Sequence, residues 1–141
     1  MSATSADAIP GTYRLDSITA SSDGGPFRDL YAQAPTGYAI ITPRRFMAVI
    51  TAGGRHFGTT QAAKAALFDS LIAYTGTYRI EGEHFITEVD VSWLEYFNGT
   101  DQGRTFRIDG NRLILTTFPA PDRDDPSKTR VARVVWERIT E

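Results

Sequence analysis

The sequence predicts a single all-β domain, an eight-stranded antiparallel β-barrel with one short helix. Eight short segments have the alternating or continuously apolar pattern of strands, over residues 11–19, 37–42, 46–51, 74–81, 84–92, 102–109, 112–117 and 129–139. Turns centred on Gly82 and Gly110 link neighbouring segments as hairpins, because glycine accepts a positive φ. An antiparallel sheet of eight strands tends to close into a barrel, since closure removes its exposed edges.

The first three segments differ in their apolar pattern. Residues 11–19 alternate, with Tyr13 and Leu15 on one face and Arg14 and Asp16 on the other. Residues 37–42 and 46–51 are nearly continuous in apolar side chains, which is typical of strands covered on both faces over part of their length. The short link between these two segments predicts a hairpin.

One helix is predicted, over residues 61–73. Thr59 or Thr60 can cap its first turn, and apolar side chains such as Leu67 and Leu71 recur at four-residue spacing. The apolar stripe is narrow, so we expect this helix to lie on the barrel rather than inside it.

Length and composition limit the class of protein. The 141 residues fit one domain, and we expect residues 1–10 to form a flexible tail before a barrel domain over residues 11–141. The absence of cysteine excludes disulfides and thiolate catalysis. A formal charge of −2 without a basic stripe argues against nucleic acid as a partner. No run approaches the roughly 20 apolar residues of a membrane span, and the first residues do not resemble a signal peptide, so we expect a cytoplasmic protein.

A barrel of eight strands is just wide enough to hold one small ligand. Tyr74, Gly76 and Tyr78 share one strand face, and Gly76 leaves space between the two rings. Together with Tyr38, these tyrosines are candidates to bind a flat ligand, with their hydroxyls as orienting donors. The alternative is ordinary packing inside the barrel.

Two more ligand-binding candidates, Trp93 and Tyr96, lie in the segment that follows residues 84–92. Aromatic side chains at the mouth of a barrel can cover its opening, since loops at barrel ends usually carry function. The alternative is a satellite cluster packed beneath the loop.

Arg104 is the first catalytic candidate. It shares a strand face with Phe106, a further ligand-binding candidate, which predicts that Arg104 lies inside the barrel or at its rim. A buried arginine needs a partner. A symmetric loop would place Asp90 opposite Arg104 and Glu88 one pair further along. Two carboxylates beside a guanidinium inside a barrel would form a plausible acid–base site.

The opposite orientation of the two acids remains open. Phe85, Val89 and Val91 form the more apolar face of the same strand, and that face excludes Glu88 and Asp90. A shift of one residue in register would point both carboxylates to solvent.

No metal or cofactor is predicted. His56 and His84 are far apart, and residues 122–125 lack the spacing and the glycine of a calcium loop. The sequence contains no phosphate-binding loop, dinucleotide fingerprint or nucleophile elbow.

Six pieces of the sequence, in order along the chain, match a known pattern: residues 11–15 (GTYRL), 37–38 with 46–47 (GY, FM), 73–78 (AYTGTY), 99–102 (GTDQ) with Arg104 and Phe106, 109–113 (DGNRL) and 135–138 (VWER). On these pieces the chain resembles the bacterial and fungal lipocalin-like domain family.

The resemblance implies a calycin-type barrel in which Tyr13 of the first strand packs beneath Arg138 of the last and closes one end. It also implies a histidine at the position of Glu88, so a role that requires imidazole there is not expected in this chain. Some related small barrels resemble cofactor-free cyclases or isomerases of small-molecule, secondary metabolism. A shared fold alone does not establish such an activity.

These observations lead to two main hypotheses. The protein binds an apolar or aromatic small molecule in the barrel and catalyses a cofactor-free cyclisation or isomerisation, or it is a non-catalytic carrier with the same cavity. A third option is an interaction module that uses the hairpin over residues 38–50, and a homodimer is compatible with all three.

Overall fold

A computed structural model of the chain describes residues 6–140 and confirms the closed antiparallel barrel with one α-helix. The helix α1 is Gln61–Asp69. The strands are β1 (Gly11–Ser22), β2 (Arg28–Asp29), β3 (Thr36–Ile41), β4 (Arg45–Thr51), β5 (Leu71–Glu81), β6 (His84–Ser92), β7 (Asp101–Asp109), β8 (Arg112–Thr117), β9 (Ala120–Pro121) and β10 (Thr129–Arg138).

Eight of these strands form the barrel wall, in the order β1-β3-β4-β5-β6-β7-β8-β10. The sheet closes where β10 pairs with β1, from Tyr13 opposite Arg138 to Ser22 opposite Arg130. The two additional strands, β2 and β9, were not predicted, and each adds a short pairing at the open end of the barrel.

The wall has one buried and one exposed face. In β4, Phe46, Ala48 and Ile50 are buried, whereas Met47 and Val49 are 46% and 49% exposed. The prediction that β3 and β4 are covered on both faces is therefore wrong. Their apolar outer side chains are large, but they remain on the surface of the barrel.

The helix is shorter than predicted. Its N-terminus is as expected, because the Thr60 hydroxyl accepts a hydrogen bond from the Ala63 N–H at 3.1 Å. Its C-terminus is at Asp69, since Leu71 opens strand β5 and pairs with Thr51 of β4. Pairing with the neighbouring strand thus outweighs the helical spacing of the apolar side chains.

One end of the barrel is closed by Tyr13 and Arg138, as the resemblance implied. The Arg138 guanidinium lies 4.9 Å from the centre of the Tyr13 ring, and Trp136 is 1% exposed. Arg138 donates hydrogen bonds to the Tyr13 hydroxyl at 2.8 Å, to the Pro10 carbonyl at 2.8 Å and to the Ala8 carbonyl.

The N-terminal segment takes part in this closed end. Residues 1–5 of the predicted tail lie outside the described residues. In the remainder, Ile9 is fully buried, and its carbonyl accepts a hydrogen bond from the Tyr13 hydroxyl at 2.5 Å. Ile9 is therefore packed against the barrel and Pro10 is partly buried, whereas Ala6–Ala8 are exposed.

Across residues 6–140, none of the helices combines the length and the apolar character needed to cross a membrane.

Candidate functional site

The interior of the barrel holds a cavity of about 860 Å³. Trp136 lies at its floor, and loop residues such as Tyr96 and Pro119 surround its open end, here called the mouth. This volume lies within the range of roughly 300–1,000 Å³ that is typical of small-molecule sites.

One side of the cavity is formed by five aromatic residues in continuous contact, here called the aromatic wall. The ring centres of Phe46 and Tyr74 are 5.2 Å apart, and those of Tyr74 and Phe97 are 6.1 Å apart. Phe97 in turn meets Trp93 at 5.5 Å and Tyr96 at 5.4 Å. All five line the cavity, so the wall runs from the core to the mouth.

The aromatic wall contains three of the predicted ligand-binding residues: Tyr74, Trp93 and Tyr96. Trp93 and Tyr96 both pack against Phe97, and both line the opening. They therefore belong to a packed cluster that also forms part of the mouth. Their contact with a ligand stays a prediction.

Tyr78 and Phe106 lie behind the cavity surface rather than on it. Tyr78 stacks on Phe85 with ring centres 4.6 Å apart and donates a hydrogen bond to the Thr42 carbonyl at 2.7 Å. Burial raises the pKa of the Tyr78 hydroxyl. Phe106 is 3% exposed and belongs to the core. Both side chains support the cavity from below.

Gly76 has a different role from the predicted one. A Cβ at this position would overlap the carbonyl oxygen of Glu88 on β6, where a bulge shifts the register between Thr75 and Gly76. The glycine thus makes room for the neighbouring backbone and not for a ligand between two rings.

Tyr38 is on the outer surface of the barrel and is 54% exposed. It lines a shallow outer groove of about 280 Å³ together with other apolar side chains of the hairpin, namely Ile40, Met47 and Val49. The position of Tyr38 separates it from the cavity. The predicted homodimer and the interaction role of this hairpin stay predictions.

Glu88 and Asp90 also face outward, which is the second of the two orientations left open by the sequence. The Glu88 carboxylate accepts a hydrogen bond from Arg79 at 3.1 Å, and that of Asp90 from Arg45 at 2.9 Å. Both carboxylates are about half exposed. Their position gives no support to the predicted acid–base role inside the cavity.

Arg104 lines the cavity, as predicted, but the prediction that it pairs with a carboxylate is wrong. In the pairing of β6 with β7, Phe85 lies opposite Arg104, and Glu88 is the last residue of β6 that has a partner on β7. Asp90 therefore has no partner on β7. The connection from β6 to β7 is therefore asymmetric. A guanidinium nitrogen of Arg104 donates instead to the carbonyl of the adjacent Gly103 at 2.9 Å.

Sequence reasoning missed several polar residues that line the cavity, among them Tyr31, Arg123 and Arg130. Arg130 is separated from Val134 and Trp136 on β10 by even numbers of positions, so the period-two pattern of the strand could have placed Arg130 on the inner face. Tyr31 and Arg123 lie in connections between barrel strands, where no periodicity fixes the direction of a side chain.

The cavity is equipped for binding by apolar contact, ring stacking and hydrogen-bond donation. Among the residues that the structure describes, no three His, Cys, Asp or Glu side chains come together in a way that could hold a metal ion.

The family comparison agrees with this geometry. The family described as the lipocalin-like domain matches residues 10–139, which is nearly the whole chain. No curated protein matches the chain in sequence. A barrel of this kind is suited to binding small molecules. With its closed antiparallel barrel, its open-ended cavity and this match over most of its length, the chain belongs to the lipocalin-like domain family.

Proposed function

We propose that the protein binds an apolar or aromatic small molecule inside the barrel. The observation that carries this proposal is the aromatic wall, whose five rings line a cavity of about 860 Å³. Offset and edge-to-face packing of a ligand ring against such residues adds roughly 0.5–1.5 kcal/mol per ring pair beyond the burial of apolar area. The cavity surface also includes aliphatic side chains, such as Ile50 and Val134.

The closed end supports binding rather than passage through the barrel. Trp136 and Tyr13 are almost fully buried there, and Arg138 is held by three hydrogen bonds. A ligand therefore has one route in and out, at the mouth.

A fluorescence titration with the neutral dye N-phenylnaphthylamine tests this proposal. The wild-type protein should bind the dye with a saturable increase in emission. Ala132→Trp places an indole into the cavity, because Ala132 lines it on the inner face of β10. We expect this substitution to weaken binding about tenfold, the equivalent of about 1.4 kcal/mol.

The matched control is Ala73→Trp on β5, which pairs with the outward-facing Val49 and does not line the cavity. It should bind the dye like the wild type, and near-ultraviolet circular dichroism verifies that both variants fold. Absence of binding by the wild type, or equal binding by the two variants, would contradict the proposal.

A cofactor-free cyclisation or isomerisation in secondary metabolism is a second candidate function, supported by the position of Arg104. A guanidinium that lines the cavity without a carboxylate partner can stabilise negative charge that develops on a substrate oxygen. The cavity wall would hold the substrate in a reactive conformation. Both reactions keep every atom of the substrate in the product and require no oxidant or reductant.

This second candidate has its own test. A small molecule that co-purifies with the protein is identified by native mass spectrometry and incubated with a catalytic amount of protein. Catalysis predicts a product of unchanged mass and changed chromatographic retention, formed more slowly by Arg104→Leu. Recovery of the compound unchanged would leave binding as the function and exclude this reaction.

A further inference from the structure

The mouth of the cavity carries an excess of unused hydrogen-bond donors. Arg104, Arg123 and Arg130 all line the cavity and are here called the mouth arginines. Within residues 6–140, none of them forms an ion pair with a carboxylate. The ion pairs there use other arginines, namely Arg14, Arg45, Arg79, Arg107 and Arg112.

The strand register fixes the depth of two mouth arginines. Arg130 lies on the same face of β10 as Trp136, six residues away, which corresponds to about 20 Å along the strand. Arg104 is opposite Thr117, whose hydroxyl accepts a hydrogen bond from the Ala132 N–H at 2.8 Å. Arg104 thus lies at the same depth in the barrel as Ala132, which is the next inward-facing residue of β10 after Arg130 in the direction of the closed end.

Tyr31 adds a hydroxyl donor beside these arginines. The Leu30 N–H donates to the Ile18 carbonyl at 3.1 Å and holds this segment against β1. Burial raises the pKa of the Tyr31 hydroxyl, while the nearby charges of Arg130 and Arg123 oppose that rise. The hydroxyl therefore remains protonated at neutral pH and is available to donate.

The carboxylates near the mouth are engaged elsewhere or exposed. Asp101 accepts a hydrogen bond from Arg79 at 3.1 Å. Asp122 accepts from the backbone N–H groups of Asp124 and Asp125, which lower its pKa together with the charges of Arg130 and Arg123. Asp69 and Asp124 also line the cavity but are exposed at its rim, as Arg123 is, so solvent screens these three charges, whereas Arg104 and Arg130 are partly buried.

We propose that the ligand is an organic anion, with an apolar or aromatic body against the aromatic wall and an acidic head group at the mouth arginines and Tyr31. This inference rests on the proposed binding function and adds the chemical class of the ligand. Guanidinium groups present a planar set of donors that matches a carboxylate. A cleft with apolar walls also concentrates the field of its charges.

Two dyes that differ by one acidic group test the inference. N-phenylnaphthylamine is neutral, and anilinonaphthalene sulfonate carries the same ring system with a sulfonate. We expect the wild type to bind the anionic dye about tenfold more tightly than the neutral one. Raising NaCl from about 20 mM to about 500 mM should weaken only the binding of the anionic dye.

Substitutions locate the effect. Arg104→Gln combined with Arg130→Gln should abolish the preference for the anionic dye, so that the variant's dissociation constants for the two dyes differ by less than about twofold. Arg107→Gln is the matched control, because Arg107 is an exposed arginine on β7 outside the cavity. This variant should retain the preference.

The outcomes separate the two proposals. Binding of the neutral dye without a preference for the anionic one, or a preference that survives in the double variant, overturns the inference and leaves the cavity proposal intact. Failure of the wild type to bind either dye overturns both.

Discussion

At the closed end of the barrel, the guanidinium of Arg138 donates hydrogen bonds to three oxygens of the chain, whereas at the mouth the guanidinium of Arg104 donates to one and those of Arg123 and Arg130 donate to none within residues 6–140. Arginine side chains therefore have two different roles in this barrel. Arg138 joins the first and last strands to the N-terminal segment. The mouth arginines contribute little to that framework and keep their donors available to another molecule.

The closed end also differs from the mouth in how tightly it excludes other groups. Gly11 is so close to Arg138 that a Cβ there would overlap the guanidinium, and its φ of 159° lies outside the common range of other residues. At the mouth, by contrast, loops leave the cavity open to solvent. The closed end is packed and internally hydrogen-bonded, which favours stability, whereas the open end leaves donors available for the binding proposed above.

The largest expected effect is on stability when the closed-end arginine is removed. Arg138→Leu should lower the free energy of unfolding by about 3 kcal/mol, because it removes charge-assisted hydrogen bonds and a cation–π contact. Urea unfolding at neutral pH measures the change. Arg104→Leu at the mouth is the matched control and should change stability by no more than about 0.5 kcal/mol. Equal losses in the two variants would contradict the division between the two ends.

A smaller loss is expected when the closed end is overfilled. Gly11→Ala should cost about 1–2 kcal/mol, because the added methyl group displaces the Arg138 guanidinium from its acceptors. In the Arg138→Leu background the same substitution should cost less, since the overlapping group is gone. A double-mutant cycle from urea unfolding measures this coupling. Additive effects would show that Gly11 does not act through Arg138.

The smallest effect concerns stability at high pH. Burial raises the pKa of Tyr13 above its ordinary value of 10.0, although the charge of Arg138 opposes the rise. The unfolded chain then loses this proton at lower pH than the folded chain, so stability present below pH 10 declines as the pH rises past it. Tyr13→Phe should show a shallower decline in the free energy of unfolding. Parallel curves for the two proteins would exclude this contribution.

Much of the barrel could be predicted because its signals are local. The turns at Gly82 and Gly110 adopt positive φ values of 63° and 61°, as a glycine at a hairpin turn predicts. The predicted bounds of β6 and β8 agree with the structure. The C-terminus of the helix was predicted too far along the chain. The helical spacing of Leu67 and Leu71 continues beyond the end of the helix, whereas Leu71 already pairs with β4 as part of strand β5.

The site was harder to predict than the fold. The orientation of Glu88 and Asp90 stayed open because two signals conflict: a symmetric loop places Asp90 opposite Arg104, whereas the more apolar face of the strand excludes both acids. The bulge between β5 and β6 further interrupts the alternation. Arg104 was placed correctly because its neighbour Phe106 marks the inner face, but its opposite residue depends on a loop whose shape no local pattern encodes.

The sequence by itself determined the class of fold, through the period-two apolar pattern and the glycine turns, since both act over a few residues. Only the tertiary structure decided which side chains meet in the cavity. Closure of the sheet brings Arg104 of β7, Arg130 of β10 and Tyr31 of a connecting segment to one mouth. Strand register controls this meeting, and because a shift of one residue reverses every side chain, it is fixed by contacts far apart in the chain.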